Sequence, residues 1–205
     1  MTMKVMEISS AKGGVGVTTT ACATAVIASE WGKVLLMDMA DNKDTPACMG
    51  AVQFASIVPN NGSFVEVNDT LTLFRPWYDT RTVAGAIVIP DGNWDTVIID
   101  AGTTGQQDAY IHNGDPVLFE RVVCVTNCYM GVRNTLSGFT IDSLVLMNDP
   151  SRVLTIKDIE VITGKTAVVN ERNDKLPRAI DAGVIIDRKE VYGEWARKLL
   201  SGVGV

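Results

Sequence analysis

Three glycines fall within four positions in the stretch Ser10-Ala11-Lys12-Gly13-Gly14-Val15-Gly16-Val17-Thr18-Thr19-Thr20. A loop this rich in glycine lets several backbone N–H groups converge on one anion, above all where it runs into a helix N-terminus. Thr18 then stands where a hydroxyl would bind Mg²⁺, and Thr19 where it would reach an inner phosphate. A second signal lies further on, in Trp94-Asp95-Thr96-Val97-Ile98-Ile99-Asp100, an apolar run that ends in an acid. An aspartate at the end of a strand beside the glycine loop is what a Mg²⁺–phosphate site requires. The chemistry these residues fit is the binding of a phosphate chain with a divalent cation.

For that chemistry the loop must sit between a strand and a helix, and the flanking sequence supplies both. Lys4–Ile8 reads as a strand, and the alanine-rich stretch from Thr18 to Trp31 as a helix that Gly32 ends. Val34–Met37, Leu71–Phe74, Val97–Ile99, Val122–Val125 and Thr166–Val169 are further apolar runs, with Val184–Ile186 as a possible last strand. Helices are expected around Thr80–Ile87, over Val132–Met147 and over Lys189–Leu200. Between Asn42 and Val67 the pattern is weak: a short helix near Pro46–Val52, then irregular chain. Continuous apolar strands alternating with helices imply a parallel sheet covered on both faces. The expected fold class is α/β, a doubly wound, mostly parallel sheet formed by residues 1–205 as one nucleotide-binding domain.

Composition narrows the function. The chain has 205 residues, of which 46% are hydrophobic and 20% charged, with a formal charge of −6. Such a balance is that of a packed globular protein and not of a constitutive, charge-driven nucleic-acid binder. The charge is uneven: residues 161–205 carry 8 basic and 6 acidic side chains, leaving 10 basic and 18 acidic for residues 1–160. Cys22, Cys48, Cys124 and Cys128 have no CxxC spacing, and His112 is the only histidine, so zinc ligands are lacking and His112 reads as a loop residue. The Cys124–Cys128 pair reads as small packing residues. With no signal-peptide profile at Met1–Ser10 and no apolar run of spanning length, the expected location is cytoplasmic.

The segment Lys12-Gly13-Gly14-Val15-Gly16-Val17-Thr18-Thr19 resembles the deviant Walker A motif, KGGxGKT[ST], of the ParA/MinD family of P-loop ATPases. The resemblance extends through most of the chain: Val34–Asp41 is similar to the family's strand-plus-acid segment, Trp94–Asp100 to its Walker B, and Val122–Thr126 to the strand before its later helices. Ala167-Val168-Val169-Asn170 resembles a strand whose terminal asparagine contacts adenine. The resemblance implies ATP/ADP and Mg²⁺ as cofactors. It also implies nucleotide-dependent homodimerisation, with Lys12 reaching the partner subunit's phosphates.

Two departures from the family pattern bear on catalysis. The family's second lysine, which holds the β- and γ-phosphates, is replaced by Val17. Losing an ammonium from a phosphate cluster forfeits about 10–100-fold in affinity, and more in the transition state. After the second strand the family has Asp-x-Asp, whereas this chain reads Asp38-Met39-Ala40-Asp41. Asp38 belongs with the Mg²⁺ surroundings, and Asp41 replaces the water-orienting acid only if the loop shifts by one residue; otherwise it is an exposed loop acid. Together these point to slow hydrolysis, or none.

Relatives of this type commonly bind DNA without sequence preference through basic residues of the C-terminal third. Lys165, Arg172, Lys175, Arg178, Arg188, Lys189, Arg197 and Lys198 are available for that here, although interleaved acids equally permit a merely solvated face. No helix-turn-helix fits before the glycine loop, which argues against sequence-specific repression. The stretch Val191–Leu200 invites comparison with MinD's membrane-binding helix, but its length and Gly193 favour a final helix packed on the sheet, so a membrane is not expected as a partner. The resemblance therefore implies a dimerising nucleotide switch in plasmid, phage or chromosome partition, stimulated by a ParB-like centromere-binding or other activating protein. The alternative is a non-hydrolysing pseudo-ATPase adaptor or positioning protein of the MinD type. A P-loop ligase such as dethiobiotin synthetase would need the missing lysine, and an iron–sulfur carrier would need cysteines placed differently.

Overall fold

The computed structural model describes residues 3–41, 44–50, 63–76, 86–103, 106–171 and 175–202. Its strands in chain order are β1 (Lys4–Ser9), β2 (Val34–Asp38), β3 (Ser63–Glu66), β4 (Leu71–Arg75), β5 (Ile87–Val88), β6 (Thr96–Gly102), β7 (Tyr110–His112), β8 (Asp115–Val117), β9 (Glu120–Thr126), β10 (Ser143–Asn148) and β11 (Ala167–Glu171). The helices are α1 (Val17–Ala28), α2 (Thr45–Cys48), α3 (Tyr129–Gly138), α4 (Ile156–Thr163), α5 (Lys175–Asp181) and α6 (Lys189–Gly202), with a 3₁₀ turn at Ile185–Asp187.

Eight strands form one sheet in the order β11-β10-β9-β1-β6-β2-β4-β3, parallel throughout except for the edge strand β3, which runs antiparallel to β4. Strand β1 lies between β6 and β9, so the chain winds outward from it in both directions. The loop leaving β1 therefore opens at the switch point, where sheets of this kind leave a crevice beyond the strands' carboxyl ends.

Both faces of the sheet are buried, which is why its inner strands read as continuous apolar runs. On one face Met6, Ile8, Leu36, Ile98 and Val122 pack against α1 and, through it, Tyr192, Trp195 and Leu199 of α6. Ala21, Ala23 and Ala25 of α1 have no exposed surface, and their small side chains let this helix lie closely between the sheet and α6. On the other face Leu35, Met37, Val97 and Ile99 meet Ile87 and Tyr110 of a small sheet ordered β5-β7-β8. Val123, Val125, Leu144 and Leu146 pack there with Val132 and Ile159.

The structure corrects several boundaries. Helix α1 ends at Ala28 rather than Trp31. Ser29 turns its hydroxyl onto the Val26 carbonyl at 2.8 Å, and Glu30 and Trp31 close tighter turns onto Ile27 and Ala28. The expected helix over Val132–Met147 is instead α3 followed by β10; Phe139 has extended backbone after Gly138, and Leu144–Met147 is a buried apolar run of the strand kind. Val184–Ile186 leads into the 3₁₀ turn rather than a strand, and Phe64–Val67, read as irregular, falls largely in β3. Ile87 begins β5, while residues 80–85 of the helix expected there lie outside the described residues. His112 closes β7 rather than lying in a loop. Helix α6 buries Tyr192, Trp195 and Leu199, so the last helix packs inward, and among the described residues no helix is long and apolar enough to cross a membrane.

Glu7 is a charged side chain at full burial in the central strand. Its Oε2 accepts from the Tyr110 hydroxyl at 2.6 Å and from the Gln107 N–H at 3.0 Å, while Oε1 has no partner among the described residues. Burial raises the Glu7 carboxyl above its ordinary value, and the Tyr110 hydroxyl, the Gln107 amide and Arg121 only partly reverse this. A carboxyl raised in the folded state holds its proton more tightly there, so its contribution to stability declines as pH climbs from the unfolded value through the folded one. Glu7→Gln keeps an acceptor oxygen without the charge. Urea unfolding should show this variant gaining on the parent between pH 4 and pH 7.5; a difference independent of pH would contradict the account.

Candidate functional site

The glycine loop runs from Ser10 to Gly16 and feeds directly into α1. Its backbone takes shapes that require glycine: Gly14 has φ +74° and Gly16, the residue capping α1, has φ +82°. Ser10 N–H donates to the Gly102 carbonyl at 3.0 Å, which ties the loop to the end of β6. Behind it, the Thr20 hydroxyl donates to the Gly16 carbonyl at 2.8 Å and accepts from Cys124 Sγ at 3.5 Å. Lys12, Gly13 and Gly14 are exposed, Thr18 and Thr19 half-buried. The Val17 side chain is 7% exposed and belongs to the apolar cluster under α1.

Asp38 and Asp100 are register partners on the adjacent parallel strands β2 and β6, and both are buried. Asp100 Oδ2 accepts from the Thr45 hydroxyl at 3.1 Å, Oδ1 accepts from the Gly102 N–H at 3.1 Å, and the Thr18 hydroxyl also bonds to this carboxylate. Burial raises Asp100, and these three donors offset part of the rise. Neither oxygen of Asp38 makes a well-formed hydrogen bond among the described residues, the Ala40 amide and the Thr45 hydroxyl being its nearby donors. Burial, and then the neighbouring charge of Asp100, push Asp38 up to about 7, against the pull of Arg75 at the end of β4. Thr18, Asp38 and Asp100, predicted to cluster around a divalent cation, are thus brought together.

A cavity of about 720 Å³ opens in front of them. Its wall holds all of Lys12–Thr19, with Met147, Asn148, Asn170, Leu176 and Ile180 also lining it. Its size lies within the range usual for sites that enclose a small molecule. Asp41 is exposed and lines this cavity, while Ala40 is buried with its methyl against Gly102. An acid at position 40 would have to displace that contact.

Sequence reasoning missed four residues of the site. Asn148 Nδ2 donates to Glu171 Oε2 at 2.7 Å, and its Oδ1 accepts from Asn127 Nδ2 at 3.1 Å. It stands on the same wall as Asn170, whose own Nδ2 donates to Met147 Sδ at 3.4 Å. The signal for it was an asparagine ending an apolar run, obscured by reading that run as helix. Arg152 lies on the loop after β10, while Thr45 and Arg75 gave no signal, since they reach the site only through the pairing of β2 with β4 and β6.

The basic residues of the last third are mostly engaged. Lys189 Nζ and Arg197 Nη2 hold the two oxygens of Glu30 at 3.0 and 3.2 Å, Lys198 pairs with Glu194 at 2.7 Å, and Arg188 with Glu190 at 3.6 Å. Lys175 and Arg178 are exposed on α5 beside the cavity, and Lys165 is half-buried before β11. Arg172 lies outside the described residues.

No protein-family model matches the sequence, and no curated protein does. Solved structures do match. A Borrelia burgdorferi protein assigned to plasmid partition, bound to AMPPNP, is 18% identical at a TM-score of 0.66, over 97% of this chain and 100% of that one. The septum site-determining protein MinD of Pyrococcus horikoshii, complexed with Mg-ADP, is 13% identical at 0.66, over 100% and 99%. MinD in the MinC:MinD cell division complex of Aquifex aeolicus is 18% identical at 0.63, over 97% and 96%. At such identities the likeness shows the fold: the doubly wound, mostly parallel sheet shared by ParA/MinD-type P-loop proteins.

The glycine loop offers a direct check. An alanine Cβ at Gly16 would meet the flexible tip of Met147 at 2.7 Å, and its φ of +82° is one that side chains rarely adopt. Gly16→Ala should lower unfolding free energy by about 1–2 kcal/mol. At Gly13 an added Cβ meets nothing within 4 Å, and Gly13→Ala should stay within about 0.5 kcal/mol of the parent in the same urea titration.

Proposed function

We propose that this chain is a single-domain, ParA/MinD-like nucleotide switch that binds ATP or ADP with Mg²⁺ and dimerises in the triphosphate state. The observation that carries the reading is the cavity lined by the glycine loop together with Asn148 and Asn170, with Asp38 and Asp100 buried near Thr18. Amides of Gly13–Thr19 would hold the phosphates, and Asn170 or Asn148 an edge of the base. The fold neighbours with bound AMPPNP and Mg-ADP support the same ligand class.

The residues present fit a magnesium ion. Thr18 offers a hydroxyl, and the two oxygens of Asp38 beside Asp100, with no well-formed hydrogen bond among the described residues, are the acceptors that a hydrated divalent cation would use. When bound, Mg²⁺ supplies positive charge to the phosphate chain. The protein's own part is to fix the glycine amides, keep Asp38 and Asp100 away from bulk water and present Lys12 at the open rim. Asp41, an exposed acid on the cavity wall, would orient a water, with no described residue burying it. With Val17 in the lysine position and Ala40 packed on Gly102, hydrolysis should be slow.

The proposed output is DNA partition, through Lys165, Arg172, Lys175, Arg178, Arg188, Lys189, Arg197 and Lys198, with a ParB-like or other activating partner. Four of these already hold carboxylates, so few phosphates would be neutralised per subunit and a dimer is needed to double the number. Light scattering should show the mass doubling with Mg–ATP and not with Mg–ADP, with DNA retained only by the dimer and little phosphate released. A mass unchanged at saturating Mg–ATP would contradict the switch. A nucleotide-independent dimer without turnover would favour the adaptor of the MinD type.

A further inference from the structure

The cavity wall is short of positive charge for the ligand proposed above. It carries Asp41, Asp44, Asp149, Glu171 and Asp181, and its cations among the described residues are Lys12 and Arg152. Lys12 lies on the exposed rim, and position 17 is a buried valine. With Arg152 turned away, a phosphate chain in this cavity would face these five acids with Lys12 as the one cation among the described lining residues.

We propose that Arg152 is a phosphate-binding residue of this site, supplying from the loop after β10 the positive charge that Val17 does not. The inference rests on the nucleotide reading and adds a residue to it. Three observations carry it. First, the loop bearing Arg152 is built to hold its place. Buried Asn127 donates through Nδ2 to Asn148 Oδ1, the Asp149 carbonyl and the Leu154 carbonyl at 2.9–3.1 Å, and its Oδ1 accepts from Asp149 N–H at 3.0 Å. Asp149 Oδ1 in turn accepts from the Ser151 N–H and hydroxyl at 3.0 and 2.7 Å. Second, the guanidinium is tethered only loosely: Nε stands 3.7 Å from Asp149 Oδ2 and the side chain is 55% exposed, so re-aiming it breaks no buried contact. Third, Arg152 and Lys12 line the same cavity, and the charge of each is felt at one neighbouring group. The Cys128 thiol at the start of α3 is held below its ordinary value first by the Gly131 and Met130 amides, then by Lys12 and Arg152 together. Arginine suits the task because its planar fork can grip two phosphate oxygens at once.

Calorimetric titration of the full chain with Mg–AMPPNP and with AMP tests this. The parent should bind Mg–AMPPNP. Arg152→Ala should bind it about 10-fold or more weakly, Arg152→Lys should recover part of the loss, and the loss for AMP should be much smaller. An Arg152→Ala protein that binds Mg–AMPPNP like the parent, or loses AMP in equal measure, would overturn the assignment while the nucleotide reading stands. A parent that binds neither compound would overturn both.

Discussion

Two carboxylates buried side by side are the constraint around which this molecule is arranged. Asp38 and Asp100 are register partners on adjacent parallel strands, and taking even one carboxylate out of water costs several kcal/mol unless it is paired. The chain satisfies Asp100 with Thr18, Thr45 and the Gly102 amide, which brings the start of α1, the short α2 and the end of β6 to one point. It leaves Asp38 with no well-formed hydrogen bond among the described residues and its carboxyl pushed up to about 7. A packed core has no use for such a pair, since two leucines would be more stable there. The proposed cation in front of Thr18 would give it one.

The same economy of charge explains what surrounds the pair. Val17 contributes apolar packing where the P-loops that this segment resembles carry an ammonium, so a phosphate ligand would need positive charge from elsewhere in the cavity. Ala40 lies against Gly102, which leaves the nearest acid, Asp41, exposed at the rim. On the proposed reading, the first of these changes weakens the grip on the phosphates and both slow the reaction, while the glycine amides and Thr18 stay in place. That reading is of a protein that would report a bound nucleotide by shape and assembly rather than by turnover.

Much of this was legible in the chain. The glycine loop, the acid after Ile99 and the continuous apolar runs follow from local chemistry, because backbone shape at Gly14 and Gly16 and burial on two faces leave marks in residue type. What escaped notice depends on the order of strands. Arg75 and Thr45 approach Asp38 and Asp100 only once β2 pairs with both β4 and β6, and nothing in their own neighbourhoods signals it. Asn148 and Arg152 were hidden by a wrong period. Leu144–Met147 is a strand, and reading it as the end of a helix took the residues after it away from the carboxyl edge of the sheet. The basic tail was legible as composition but not as pairing, since Glu30, which neutralises Lys189 and Arg197, lies at the far end of α1.

The most direct test of the central claim is a crystal structure determined with saturating AMPPNP and Mg²⁺. The account predicts phosphate oxygens within hydrogen-bond reach of the Gly13–Thr19 amides, and a metal ion at Thr18 on the side of Asp38 and Asp100. A nucleotide bound elsewhere, or a cavity left empty under those conditions, would contradict it.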